Sequence, residues 1–223
     1  MAVIVHIIKT SKDFFKNFCY LVVDKDSHKG ILVDPAWDLD KIESYLVNNA
    51  FTLSAILLTH HHIDHVNLAH VLAVKYNSQV LMNKIEISFY GFTCHHLRGI
   101  DESTHISCGH SQVIPITTPG HTRGSMCYLI EENLFTGDTL FIEGCGICFG
   151  KGADPTEMYY SLQKLKSRIH SDTFIYPSHS YGQKPGKRFN YLLNNNIYLQ
   201  IDDPAQFISF RMRQNQSTIL GFK

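Results

Sequence analysis

Apolar residues along this 223-residue chain fall into two kinds of run. Short stretches rich in β-branched residues at 3–8, 19–23 and 30–33 are separated by turn residues and read as strands of one sheet. Between 38 and 50 the apolar positions Leu39, Ile42, Leu46 and Val47 recur at helical spacing. Residues 53–58 predict a strand that runs directly into Thr59-His60-His61-His62, and 66–76 resume the helical period. The second half repeats the theme. A strand at 113–117 leads to Pro119-Gly120-His121. Strands at 125–130 and 133–136 follow, the latter ending at Gly137-Asp138. A strand at 173–176 leads to Pro177-Ser178-His179. Asp154-Pro155-Thr156-Glu157 opens a helix that runs to about 169, with Asp as cap, Pro at the first position and Glu three residues after the cap. A last helix is expected over 202–214, capped by Asp202 or Asp203 ahead of Pro204.

Four strand ends therefore deliver polar clusters: His60/His62/Asp64/His65, His121, Asp138 and His179. In layered α/β proteins such strand-to-helix loops are where sites are built. No internal repeat aligns and no linker interrupts the pattern.

Composition narrows the class. Hydrophobic residues make up 44% and charged residues 18%, the balance of a globular chain with a core. Twenty basic residues are matched by twenty acidic ones, so the basic excess expected of a nucleic-acid binder is absent. No apolar run is long enough to span a membrane. The N-terminal stretch lacks the basic region and cleavage site of a leader, so a cytoplasmic protein without membrane partners is expected. Six scattered cysteines do not suggest a disulfide framework. Cys145 and Cys148 spell a C-x-x-C, but neither flank resembles a redox setting. Cys94-His95-His96 falls in an irregular loop without a partner at ligand spacing, and His70 reads as an ordinary helix residue. Several of the fourteen histidines fall in tight groups, which is a metal signal.

The core of that signal is His60-x-His62-x-Asp64-His65. Imidazole and carboxylate together make a mixed N/O site for zinc-like ions. Residues two apart on an extended loop project to one side, so His60 and His62 can share an ion while Asp64 and His65 turn toward a second. His61 should point away and read as structural.

This pattern resembles the signature of the metallo-β-lactamase superfamily. Within it the chain is most similar to glyoxalase II, the hydroxyacylglutathione hydrolases, through Thr-Pro-Gly-His-Thr (118–122), Leu-Phe-Thr-Gly-Asp-Thr-Leu-Phe (134–141), Gly-Cys-Gly (144–146), Met-Tyr-Tyr-Ser-Leu-Gln-Lys-Leu (158–165) and Tyr-Pro-Ser-His-Ser-Tyr (176–181). The run from Cys145 to Met158 further resembles the glyoxalase-II-like hydrolases of bacillaene-type trans-acyltransferase polyketide biosynthesis. The resemblance implies an α/β (α+β) fold, a four-layer αββα sandwich over 1–182 with a short helical C-terminal extension over 183–223. It implies two divalent ions, zinc first, with iron or manganese as alternatives. His60, His62 and His121 would hold one ion, Asp64, His65 and His179 the other, and Asp138 would bridge them. Asp64 and Asp138 would be the catalytic carboxylates. Asp34 is a candidate for orienting a ligand histidine, against the alternative of a turn aspartate.

The implied activity is hydrolysis of a thioester by a bridging hydroxide. Glyoxalase II usually has Arg or Lys after Gly-Cys-Gly to hold the glutathione carboxylate, and here Ile147 stands there. The basic tail is also short, leaving Arg211, Arg213 and Lys223, with Asn215-Gln-Ser-Thr-Ile as its echo. Both departures favour an acyl-carrier-protein or pantetheine-linked thioester over glutathione. Tyr181, Ile147 and Lys151 are the expected substrate contacts, with Arg188 a further cation that can meet phosphate or carboxylate. The alternatives are glyoxalase II itself, or a mononuclear iron persulfide dioxygenase that uses His60, His121 and Asp138. A lactonase or β-lactamase, or a binding module that has lost catalysis, fits the segments less well.

Overall fold

The computed structural model describes residues 2–213. The first sheet contains β1 (Val3–Lys12), β2 (Phe15–Asp24), β3 (Lys29–Val33), β4 (Thr52–Leu57), β5 (Gln79–Asn83) and β6 (Leu97–Ile100), hydrogen-bonded in that order. The second runs β12 (Lys187–Arg188), β11 (Phe174–Pro177), β10 (Asn133–Gly137), β9 (Met126–Ile130), β8 (Ser111–Thr117) and β7 (Ile106–Cys108). Helices α1 (Leu39–Asn48), α2 (Ile63–Val66), α3 (Ala69–Tyr76) and α4 (Lys84–Tyr90) belong to the first half. Helices α5 (Pro155–Arg168), α6 (Phe189–Asn195), α7 (Ile197–Gln200) and α8 (Pro204–Arg211) belong to the second.

Strand side chains explain the layering. Along β2 and β3, Tyr20, Val22, Ile31 and Val33 enter a core shared with Met126, Tyr128, Phe135 and Tyr176 of the other sheet. Their neighbours Cys19, Leu21, Val23 and Leu32 face the opposite way and pack on Ile42 and Leu46 of α1 and Leu72 of α3. Strands buried on both faces must be apolar at every position, which is why these runs showed no alternation. A third core lies between the second sheet and α5 to α8, around Leu134, Ile175, Met158, Leu162, Phe189 and Phe207. The result is the expected αββα sandwich with a helical tail packed on α5.

Several boundaries move. β1 and β2 pair in register from Val3↔Asp24 to Lys12↔Phe15 and so run longer than their apolar cores. The helix expected over 66–76 begins at Ala69 as α3, and the ligand loop before it holds the short helix α2, with Leu68 N–H bonding back to Pro35 C=O between them. α5 begins as expected, with the Asp154 carboxylate accepting from Thr156 and Glu157 N–H. Asp203 rather than Asp202 caps α8. Gln214, the Asn215–Ile219 echo and Lys223 lie outside the described residues. Among the described residues no helix is long and apolar enough to cross a membrane.

Asn196, fully buried between α6 and α7, ties the tail to the domain. Its Nδ2 donates to Phe141 and Gly144 C=O at 3.0 Å each, and its Oδ1 accepts from Tyr198 N–H. Asn196→Ala removes all three bonds at a buried site, leaving Gly144 C=O with only Phe141 N–H, and we expect a loss of about 2–4 kcal/mol. Urea denaturation checks this, with a lower midpoint at unchanged slope.

On the surface, Glu102 joins β8 to α5 by accepting from Thr117, Lys164 and Arg168. Burial pushes its carboxyl up, but Lys164, Thr117 and Arg168 outweigh it and hold it at about 2 against an ordinary 4.5. A depressed folded-state pKa stabilises above the unfolded value and loses that contribution as pH falls through the folded one. The stability gap between the wild type and Glu102→Gln should therefore be widest above pH 4.5 and close between pH 4.5 and about 2. Thermal melts across that range measure it.

Candidate metal centre

All the predicted metal-binding residues meet at one edge of the sandwich. His60 and His62 follow β4, Asp64 and His65 lie on α2, His121 follows β8, Asp138 follows β10 and His179 follows β11. Their potential ligand atoms form three overlapping groups: His60/His62/His121, His60/His65/Asp138 and Asp64/His65/His179, each within 4.8 Å.

In the first group, His60 Nε2 and His121 Nε2 each stand 3.0 Å from His62 Nδ1. Nitrogens bound about 2.0–2.1 Å from a tetrahedral zinc stand about 3.3 Å apart, so this trio has the size of such a site. The distal nitrogens are engaged elsewhere. His121 Nδ1 donates to Ile147 C=O at 2.7 Å, and His60 Nδ1 meets Thr59 Oγ1 at 3.0 Å. In the other half, His65 Nδ1 donates to Asp34 Oδ2 at 2.9 Å and His179 Nδ1 to Lys16 C=O at 3.0 Å. Their Nε2 atoms face Asp64 Oδ2 at 3.6 and 3.3 Å and Asp138 Oδ1 at 3.5 Å each. Asp138 Oδ2 lies 3.6 Å from His121 Nε2. One carboxylate thus offers an oxygen to each half.

The residues fit divalent ions. His65 Nε2 and Asp138 Oδ1 are buried with no hydrogen-bond partner, a costly arrangement unless something else binds them. Burial, then the neighbouring histidines, hold His60 well below the ordinary histidine range and His62 down to about 4, so both present neutral imidazoles. Burial opposes a charge on His65 too, yet Asp138, Asp64 and Asp34 raise it to about 10. Burial pushes the Asp64 carboxyl up, but His65, His179 and Asn17 overcome that and hold it below the usual carboxylate range. One half is a cluster of neutral lone pairs, and the other is a nest of carboxylates calling for positive charge. A cation satisfies both.

Three side chains hold the ligands in place. Asp34, at φ +49° after β3, accepts from Thr59 N–H and O–H, His65 Nδ1–H and Ser178 O–H, so it orients a ligand as well as making the turn. Asn17 of β2 donates to Asp64 C=O and Oδ2 and accepts from Trp37 Nε1–H. Glu86 of α4 binds His61, whose side chain does turn away from the ligands. Sequence reasoning named only Asp34. Asn17 carried no signal. Glu86 lies in Lys84-Ile-Glu-Ile-Ser-Phe, a stretch to which no element was assigned. The Asn83 cap on Ile85 N–H and Gly91 at φ +67° make it a helix.

The expected substrate contacts lie outside the three ligand groups. Ile147 is half-buried and lends its carbonyl to His121. Tyr181 is 40% exposed with its ring against Phe141, a contact at 5.4 Å. Exposed Lys151 lies over the Phe89 ring. Arg188 pairs with Asp172, away from these groups. Arg211 is buried and donates to Tyr198 O–H, and Arg213 donates to Tyr198 O–H and Phe210 C=O. Cys145 and Cys148 are buried free thiols, Cys148 pushed up to about 12 by burial, which fits packing and not redox work. His95 stacks on His96 and lies near His70, outside every ligand group found.

The sequence model of the metallo-beta-lactamase superfamily matches residues 13–168. The "Probable polyketide biosynthesis zinc-dependent hydrolase BaeB" of Bacillus velezensis is 45% identical over 98% of this chain and 97% of its own. A hydroxyacylglutathione hydrolase of Shewanella loihica is 33% identical over 80% of this chain and 67% of its own. The crystal structure of ETHE1 from Myxococcus xanthus superposes with TM-score 0.83 at 23% identity, covering 95% of this chain and 91% of its own.

Groups that orient ligand histidines typically change metal affinity 10–100-fold when lost. Asp34→Asn keeps the shape but puts an amide N–H₂ where donors already point. We expect zinc affinity to fall about 10–100-fold, read by competition with a chromophoric chelator.

Proposed function

The chain belongs to the metallo-beta-lactamase superfamily, and on that premise we propose that it is a dinuclear metal-dependent hydrolase of acyl thioesters carried on pantetheine or an acyl carrier protein. The observation that carries this reading is Asp138, whose two carboxylate oxygens face the two halves of the centre. His60, His62 and His121 would hold one ion, and Asp64, His65 and His179 the other. Bound divalent ions lower the pKa of water so that hydroxide exists at neutral pH, and they polarise a carbonyl.

The protein's own groups set up the rest. The carbonyl of Ile147 and the hydroxyl of Thr59 keep His121 and His60 in the tautomer whose Nε2 lone pair points into the site. Asn17 fixes Asp64, which would accept a proton from the attacking hydroxide while remaining a ligand. A thiolate is a good leaving group that needs little acid assistance, which suits attack by a hydroxide the ions supply.

Carrier choice rests on charge. Ile147 cannot pair with a glutathione carboxylate, and Arg211 and Arg213 are turned onto Tyr198. Lys151 is the exposed cation available to the phosphate of a pantetheine arm, and Tyr181 lines the approach. The relative named for polyketide biosynthesis matches over nearly the whole chain, which supports the same choice.

Thiol release from lactoylglutathione and from an acyl-pantetheine or acyl-carrier-protein thioester, measured side by side, tests this. We expect kcat/KM at least tenfold higher for the carrier-linked substrate. His62→Ala or a strong chelator should abolish turnover of both. Preference for lactoylglutathione would make the chain a glyoxalase II. Release from neither, with oxygen uptake on glutathione persulfide, would assign it to iron persulfide dioxygenase chemistry.

A further inference from the structure

We infer that Glu86 is the positioning residue of the three-histidine half of the metal centre, acting on His60, His62 and His121 through their backbone and through His61. The inference rests on the metal-binding reading above.

Glu86 is fully buried on α4. A carboxylate in that position is costly unless its lone pairs are filled, and four donors fill them. Oε1 accepts from His61 N–H at 3.0 Å and His61 Nδ1 at 2.6 Å. Oε2 accepts from Gly124 N–H at 2.7 Å and Thr122 O–H at 3.0 Å. The first pair belongs to the residue between His60 and His62. The second belongs to the residues just after His121. One side chain thus grips the two segments whose histidines converge on a common point, although His62 and His121 lie 59 positions apart.

Two further features suit this role. A Cβ at Gly124 would lie 2.4 Å from Glu86 N, so the absence of a side chain is what allows the loop to reach the carboxylate. The His61 ring stacks on Tyr90 of the same helix at 3.7 Å and 15°. That contact and the Nδ1 bond hold His61 outward, so a run of three histidines presents only two as ligands. Glu86 makes no bond to Asp64, His65 or His179, which are held instead by Asn17, Asp34 and Lys16 C=O. Loss of Glu86 should therefore loosen one half of the centre and spare the other.

The test uses the full-length, zinc-loaded protein challenged with graded chelator, counting zinc retained per chain. Glu86→Ala should hold one zinc as tightly as the wild type and the second about 10–100-fold more weakly. Glu86→Gln should fall between, because its N–H₂ must face two donors. Leu46→Ala, a core substitution under α1, controls for general destabilisation and should retain both ions. Equal weakening of both ions in Glu86→Ala, matched by Leu46→Ala at similar thermal stability, would overturn the inference. So would retention of both ions at wild-type affinity. A wild type that binds a single zinc sinks the two-ion reading separately. Glu86 is then judged on that ion, with a 10–100-fold loss supporting the role and no loss overturning it.

Discussion

A buried carboxylate has to be supplied with donors, and Asp34 receives four: Thr59 N–H, Thr59 O–H, His65 Nδ1–H and Ser178 O–H. Thr59 follows β4 in the first sheet, and Ser178 follows β11 in the second. The group that orients a ligand therefore also pins the two sheets together at the edge where the site forms. The residue type follows from two demands. The backbone turns there at φ +49°, which aspartate and asparagine tolerate better than bulkier residues. Only the carboxylate accepts four donors, since an amide would turn two of its own N–H groups toward them. The strain, of order 1–3 kcal/mol, is offset by bonds made in a water-free setting.

Around that anchor the charges are arranged for something the chain does not itself supply. His60, His62 and His121 are kept neutral by burial, while His65 is drawn to about 10 by three carboxylates. Burial opposes a charge on His179, yet Asp138 and Asp64 raise it as well. An ion that binds the folded site and not the open chain adds RT ln(1 + [L]/Kd) to stability. Metal occupancy and folding of this edge are thus linked, and the same residues that complete the fold complete the site.

Much of this was legible in advance, for identifiable reasons. His60, His62, Asp64, His65, His121, Asp138 and His179 could be read because each sits just past a strand, where the turn residues Pro119-Gly120, Gly137 and Pro177 mark the position. The four-layer arrangement was implied by the resemblance to the superfamily, since the apolar runs alone read only as strands of one sheet. The supports were harder. Asn17 sits inside β2 among apolar residues, and a single polar residue in a strand has many uses. Glu86 lay in a stretch to which no element had been assigned. The capping of α4 by Asn83 and its stop at Gly91 depend on short-range hydrogen bonding that periodicity ignores. α2 was read as loop because it is a single turn that carries the ligands Asp64 and His65, and Leu68 N–H bonds to Pro35 C=O where it gives way to α3.

The tail shows how a local difference in charge can redirect a shared scaffold. Asn196 donates to the carbonyls of Phe141 and Gly144, in the loop between Asp138 and Ile147. Arg211 lies buried against Tyr198 and beside the thiols of Cys145 and Cys148 in that same loop. A guanidinium removed from water in this way stabilises the loop from behind and is withheld from a ligand's carboxylate in front. Ile147 then presents an apolar side chain while its carbonyl holds His121. On the proposed reading, the tail braces the catalytic loop and the cleft recognises its thioester through shape and an outlying cation. That division of work suits a long carrier arm without carboxylates better than a small peptide that carries two.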